Sequence, residues 1–153
     1  MKTYCKNIDI TNVEFIIECI YECLHDKWNR RDVVELLSKY TDMDEEKIHN
    51  YILLGRKKDF EVAIRNIAEE ISDNIKNRTI VLPPIEYVER KDSSSNKIRV
   101  IGIQKIIHQF YEYVAVNGAK ELFNKKIGVF QCASIPDRGQ SYGKKAIKKW
   151  LYK

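Results

Sequence analysis

The reactive side chains of this sequence that fall into a pattern are its cations. Lys97 and Arg99 stand two apart in K-I-R-V-I-G-I, a β-branched run that predicts a strand. A period of two then puts both on one face of the strand. Cations paired in this way grip phosphates, arginine as a planar fork and lysine as a point charge. Further on, Ile135-Pro136-Asp137-Arg138-Gly139 predicts a turn that opens a helix over 140–153. Free backbone N–H groups at such a helix start, with Arg138 beside them, are a second place for a phosphate. Lys144, Lys145, Lys148 and Lys149 are spaced to give that helix a basic face. Gly139-x-x-x-Gly143-Lys144 does not meet the G-x-x-x-x-G-K-[ST] spacing, which excludes a phosphate-binding loop of nucleotide hydrolases.

The charge distribution agrees with the position of these cations. Residues 1–84 hold 13 Lys+Arg against 16 Asp+Glu, a balance of −3, whereas residues 85–153 hold 14 against 6, a balance of +8. A split of this kind suggests a polyanion, most often nucleic acid, on the second half; lysines that keep a surface wet are the plainer explanation. The apolar runs Val13–Ile17 and Ile98–Ile103 fall far short of the ~20 residues that span a bilayer, and the start is too polar for a signal peptide. The expectation is a cytoplasmic protein without membrane contact. Four cysteines without a framework of spacings fit a reducing compartment.

The elements that must hold these cations are mostly helical. Thr11-Asn12 caps a helix whose stripe is Phe15, Ile16, Cys19, Ile20, Cys23 and Leu24. Cys19 and Cys23 sit inside that stripe and no second Cys/His pair follows, so with His25 nearby they are still read as core cysteines and not as metal ligands. Helices follow over 30–40 and 45–54, the latter capped by Thr41–Asp44 and stopped by Gly55. Arg56-Lys57-Lys58 is a basic knot of the kind found at solvated helix ends. From Asp59 a longer helix carries Phe60, Ala63, Ile64, Ile67, Ile71 and Ile75 on one stripe. Nothing in residues 1–80 has catalytic spacing.

Leu82-Pro83-Pro84 is the organisational boundary, because two prolines cannot continue a helix. Beyond it, 85–90 and 97–103 predict a β-hairpin around a polar turn at 91–96, either a surface loop or an arm that folds over a ligand. A helix over 104–117 turns Ile106, Ile107, Phe110, Tyr113 and Val114 inward, and Gly118 interrupts it before a further short helix. His108 beside that stripe reads as structural, since no Ser, Cys or carboxylate is placed to partner it. Residues 127–134 read as extended. The fold class is therefore α+β and mostly helical, with a helical region at 1–82 and a hairpin with helices at 83–153.

The order of these pieces resembles a known family. K-I-R-V-I-G-I, then Gln104…His108-Gln109, Y-E-Y-V-A…L-F and F-Q-C-A-S-I-P-D-R-G-Q-S-Y-G-K-K-A-I resemble the N-terminal fingers of bacterial and phage reverse transcriptases, RNA-directed DNA polymerases of the group II intron and diversity-generating retroelement kind. The likeness covers about 82–151. It implies polymerase fingers over 83–153 behind a helical N-terminal extension, with Lys97 and Arg99 near the triphosphate of an incoming nucleotide. It also implies that Ser134, Arg138, Gly139 and Gln140 lie along the backbone of an RNA template or RNA/DNA hybrid. Such enzymes hold two metals, normally Mg²⁺, on palm aspartates. The chain has no Y-x-D-D-like motif, and Glu86, Glu89, Asp92, Glu112, Glu121 and Asp137 form no converging set in sequence. The expectation is thus a chain with no catalytic residues and no cofactor of its own, truncated before the palm or completed by a palm-bearing chain. A stand-alone RNA-binding module and a helical protein–protein interaction domain are the competing readings.

Overall fold

In a computed structural model that describes residues 3–93, 97–128, 131 and 138–152, two helices open on a capping side chain. Asn12 accepts from the Phe15 N–H at 3.0 Å and starts α1 (Val13–Leu24). α2 is Arg31–Ser38. Asp44 accepts from the Lys47 N–H at 2.8 Å and starts α3 (Glu45–Leu53). Gly55, at φ +73, ends α3: the Gly55 N–H donates to the Ile52 carbonyl and the Arg56 N–H to the Tyr51 carbonyl. This left-handed C-cap needs glycine's freedom. A 3₁₀ turn (Lys57–Phe60) leads into α4 (Glu61–Asn77), then β1 (Glu86–Lys91), β2 (Ile98–Ile103), α5 (Ile106–Gly118), α6 (Lys120–Lys126) and α7 (Gln140–Leu151).

The described chain is thus α+β: seven α-helices and one two-stranded antiparallel hairpin. It divides into two units, one of Asn7–Gly118 and one of Met1–Lys6 with Ala119–Lys153. In the larger unit α1 packs on α4 and α5, and α2 on α3. The stripes expected from sequence are the core: Ile16, Cys19, Ile20, Cys23 and Leu24 from α1, Phe60, Ala63, Ile64, Ile67 and Ile71 around α4, and Ile106, Phe110 and Val114 from α5. Residues on both sides of Pro83-Pro84 therefore share one core. Each fully buried aliphatic side chain contributes about 1.5–3 kcal/mol through the water it sheds. Trp28 closes one end, with its ring 6.2 Å from both Tyr21 and Phe60.

Two polar contacts set where the hairpin and α5 begin. Asp32 receives Arg30 Nε and Nη2 at 2.9 and 2.8 Å and also accepts the Ile106 N–H at 2.6 Å, so a carboxylate from α2 caps α5. Arg30 Nη2 donates in addition to the Gln104 carbonyl at 3.0 Å. His108 is the structural residue expected: its ring is buried, with Nε2 2.9 Å from the Pro83 carbonyl and Nδ1 3.3 Å from that of Lys105. It fastens the proline segment to α5. At the other end of α5, a Cβ on Gly118 would lie 2.6 Å from Ile10 Cγ2, so glycine is needed there for close approach.

In the smaller unit, Glu121 at the start of α6 accepts the Cys5 N–H at 2.8 Å, and Lys126 Nζ lies 5.7 Å from the Tyr4 ring centroid. The turn expected at 91–96, the extended run at 127–134 and the turn at 135–139 fall in part outside the described residues, and Ser134 and Cys132 wholly so. Among the described residues no helix is long and apolar enough to cross a membrane.

Candidate nucleic-acid interface

β1 and β2 pair in the register Glu86↔Ile103, Val88↔Ile101, Arg90↔Arg99 and Lys91↔Ile98. Residues directly opposite one another in an antiparallel pair share a face, so Arg90 and Arg99 stand side by side with Val88, Ile101 and Ile103. The ladder continues into the tip, where the Asp92 N–H donates to the Lys97 carbonyl at 2.9 Å. Lys97, two residues before Arg99, thus lies one residue ahead of β2 and at the cationic end of that face. Asp92 Oδ2 accepts from Arg99 Nη2 at 2.7 Å and offsets one of the three charges. The sequence pattern points to Lys97 and Arg99 but not to Arg90, whose place depends on the pairing register.

Opposed like charges destabilise a strand pair by a few tenths of a kcal/mol to about 1 kcal/mol unless an anion lies between them. Arg99 is 68% exposed at the side chain, so its remaining donors reach solvent. Both strands are accessible: every residue of β2 is exposed and only Val88 of β1 is half-buried. Ile101 therefore presents apolar surface on the cationic face, and Ile98 and Val100 on the opposite one. Beside the hairpin base, an open groove of about 440 Å³ is lined by Arg30, Arg31 and Lys105 and by Asp32, Glu35 and Glu86. Lys105 pairs with Glu86 at 3.1 Å, and the groove has no charge excess to attract a polyanion.

The remaining cations named from sequence are in the smaller unit. Arg138 Nη1 donates to the Gly128 carbonyl at 3.0 Å, and its guanidinium carbon lies 5.5 Å from the Tyr142 ring centroid. Gly139 is the residue before α7 and Gln140 opens it. Lys144, Lys145, Lys148 and Lys149 are all exposed. Helical spacing gathers them with Ser141 on one arc and leaves Tyr142, Ala146, Ile147, Trp150 and Leu151 on the other. On that second arc Ile147, Trp150 and Leu151 are exposed, while Tyr142 and Ala146 are half-buried. The spacing that specifies the lysine arc specifies the apolar one too. The hairpin cations and the α7 cations belong to different units, and Ser134 lies outside the described residues.

Four described carboxylates of this half have polar partners. Glu86 pairs with Lys105, Asp92 with Arg99, Glu112 accepts from Gln104 Nε2, and Glu121 accepts from Cys5. Comparison of the chain with family models, with curated proteins and with solved structures finds no match.

Proposed function

We propose that the chain binds single-stranded or template–primer nucleic acid through its backbone phosphates, as the fingers part of a reverse-transcriptase-like, RNA-directed DNA polymerase. The observation that carries this reading is the Arg90/Arg99 pair, two arginines directly opposed on one accessible hairpin face with Lys97 at its end. A phosphate bridging the pair removes the like-charge opposition and meets the planar donors of both guanidinium groups. The resemblance of 82–151 to reverse-transcriptase fingers makes the nucleotide triphosphate and the template backbone the specific forms of that phosphate. Arg138, Gly139, Gln140 and the lysine arc of α7 then serve the template side, and Ser134 joins them by resemblance alone.

In this reading the chain contributes binding and positioning. The two-metal chemistry, with its Mg²⁺, belongs to a palm. The exposed Ile147, Trp150 and Leu151 of α7 and the exposed Ile98, Val100 and Ile101 are the surfaces through which a palm-bearing segment, in the same protein or another, would dock. The same surfaces favour, as a second reading, a protein–protein interaction domain in which the cations only maintain solubility. Fluorescence anisotropy with a labelled template–primer at low salt separates the two. The expected result is binding that weakens several-fold in the Arg90→Ala/Arg99→Ala variant. Binding unaffected by that variant overturns the assignment of the hairpin, and no binding at ~50 mM salt leaves the interaction-domain reading.

A further inference from the structure

The basic knot Arg56-Lys57-Lys58 is not a loose helix end. The left-handed turn at Gly55 folds the chain back, and the Arg56 N–H reaches the Tyr51 carbonyl at 2.9 Å. This lays the Arg56 guanidinium over the Tyr51 ring, 4.1 Å from its centroid, at stacking distance. Asp59 holds the guanidinium there through Nε at 2.6 Å, while the Arg56 side chain stays 51% exposed. One further cation lies over the same ring, and two more follow Arg56 in the chain. Lys47 Nζ lies 5.9 Å from the Tyr51 centroid, Lys57 Nζ lies 5.6 Å from that of Trp28, and Lys58 is exposed beside them. Asp59 offsets one of these charges, and Glu45 and Glu46 stand beside Lys47 in the first turn of α3, within the half of the chain whose overall balance is −3.

We propose that Tyr51, Arg56 and the lysines around them form a second nucleic-acid site, one that takes an unstacked base of a single strand. The outer face of a guanidinium already stacked on tyrosine is a flat platform for a base, and lysines on either side meet the flanking phosphates. The ion pair to Asp59 fixes the plane of the platform before the ligand arrives. A duplex keeps its bases stacked on one another and offers only phosphates. Discrimination in favour of single strands therefore distinguishes this patch from a general basic surface. The ligand class follows the reading given above, but the site is on α3 and the turn after it and does not use the hairpin.

The experiment uses the full chain and a labelled mixed-sequence RNA of about 15 nucleotides, alone and annealed to its complement. Arg56→Ala is expected to weaken single-strand binding by about five- to tenfold, the loss of one stacked base, with duplex binding little changed. Arg56→Lys keeps the charge but not the plane and should recover only part of the loss. Lys47→Ala/Lys58→Ala should lower the slope of log affinity against log salt by about 1.4 on the single strand. Thermal melts of each variant show whether the fold is intact, as expected for exposed side chains. The proposal fails if Arg56→Ala binds the single strand as the parent does, or loses single strand and duplex equally. If Arg90→Ala/Arg99→Ala weakens binding and Arg56→Ala does not, this site is refuted while the hairpin reading stands. If the parent binds neither RNA at ~50 mM salt, both fall together.

Discussion

Replacing Asp32 by alanine removes the group that joins α2 to the start of α5, and the size of the effect follows from the bonds it makes. The Arg30–Asp32 pair is bidentate, with side chains 31% and 15% exposed. A hydrogen bond to a charged group contributes about 1.5–3 kcal/mol, which partial exposure reduces here to about 1–1.5 kcal/mol. The Ile106 N–H, 2.6 Å from Asp32 Oδ2, then loses its acceptor at a cost of about 1 kcal/mol. Asp32→Ala should therefore destabilise the chain by about 2–2.5 kcal/mol, or about 4–10 °C in Tm for a chain of this size. Urea denaturation followed by circular dichroism measures it. Arg30→Ala alone should cost less, since Asp32 still caps α5, and the double variant should fall short of the sum by about 1 kcal/mol. If Asp32→Ala is within about 0.5 kcal/mol of the parent, or the two changes add, the carboxylate does not tie the hairpin base to the core.

Two further outcomes follow from packing and titration. Gly118→Ala sets a methyl against the β-branched Ile10 and should cost about 1–2 kcal/mol, most of it recovered when Ile10→Ala opens the space; urea midpoints for the two single variants and the double variant decide this. Burial and a hydrogen bond to Glu70 push the Tyr40 phenol up to about 12, so its protonated form is favoured in the folded state. Its contribution to stability is full below the unfolded value near 10 and is lost as pH rises from about 10 to about 12. Tyr40→Phe should flatten that alkaline loss, and denaturation midpoints that fall identically in both proteins would refute it.

Much of the fold was legible because its determinants are local. The caps at Asn12 and Asp44, the stripes that became the core, the stop at Gly55 and the break at Gly118 each depend on residues within one or two turns. The hairpin was legible from two β-branched runs around a polar turn. What escaped depends on long-range pairing. Arg90 becomes a partner of Arg99 only once the register is set. Asp32 caps a helix 74 residues away, and no spacing announces that. The Arg56 stack lies between these cases: the glycine stop is readable, but the return of Arg56 over Tyr51 follows from the two hydrogen bonds of the left-handed cap. The apolar arc of α7 could have been read from the same wheel as its lysines.

If opposed arginines on an accessible hairpin hold phosphates, the salt dependence of binding must show it. Affinity for a single-stranded oligonucleotide is measured by anisotropy across ~50–200 mM salt, for the parent and for Arg90→Ala/Arg99→Ala. Each single-strand phosphate that is no longer neutralised makes the slope of log affinity against log salt shallower by about 0.7. One phosphate bridged by both guanidinium groups predicts a slope shallower by about 0.7 in the double variant, with weaker binding at every salt concentration. Equal slopes in the two proteins would contradict it, because the arginines would then neutralise no phosphate.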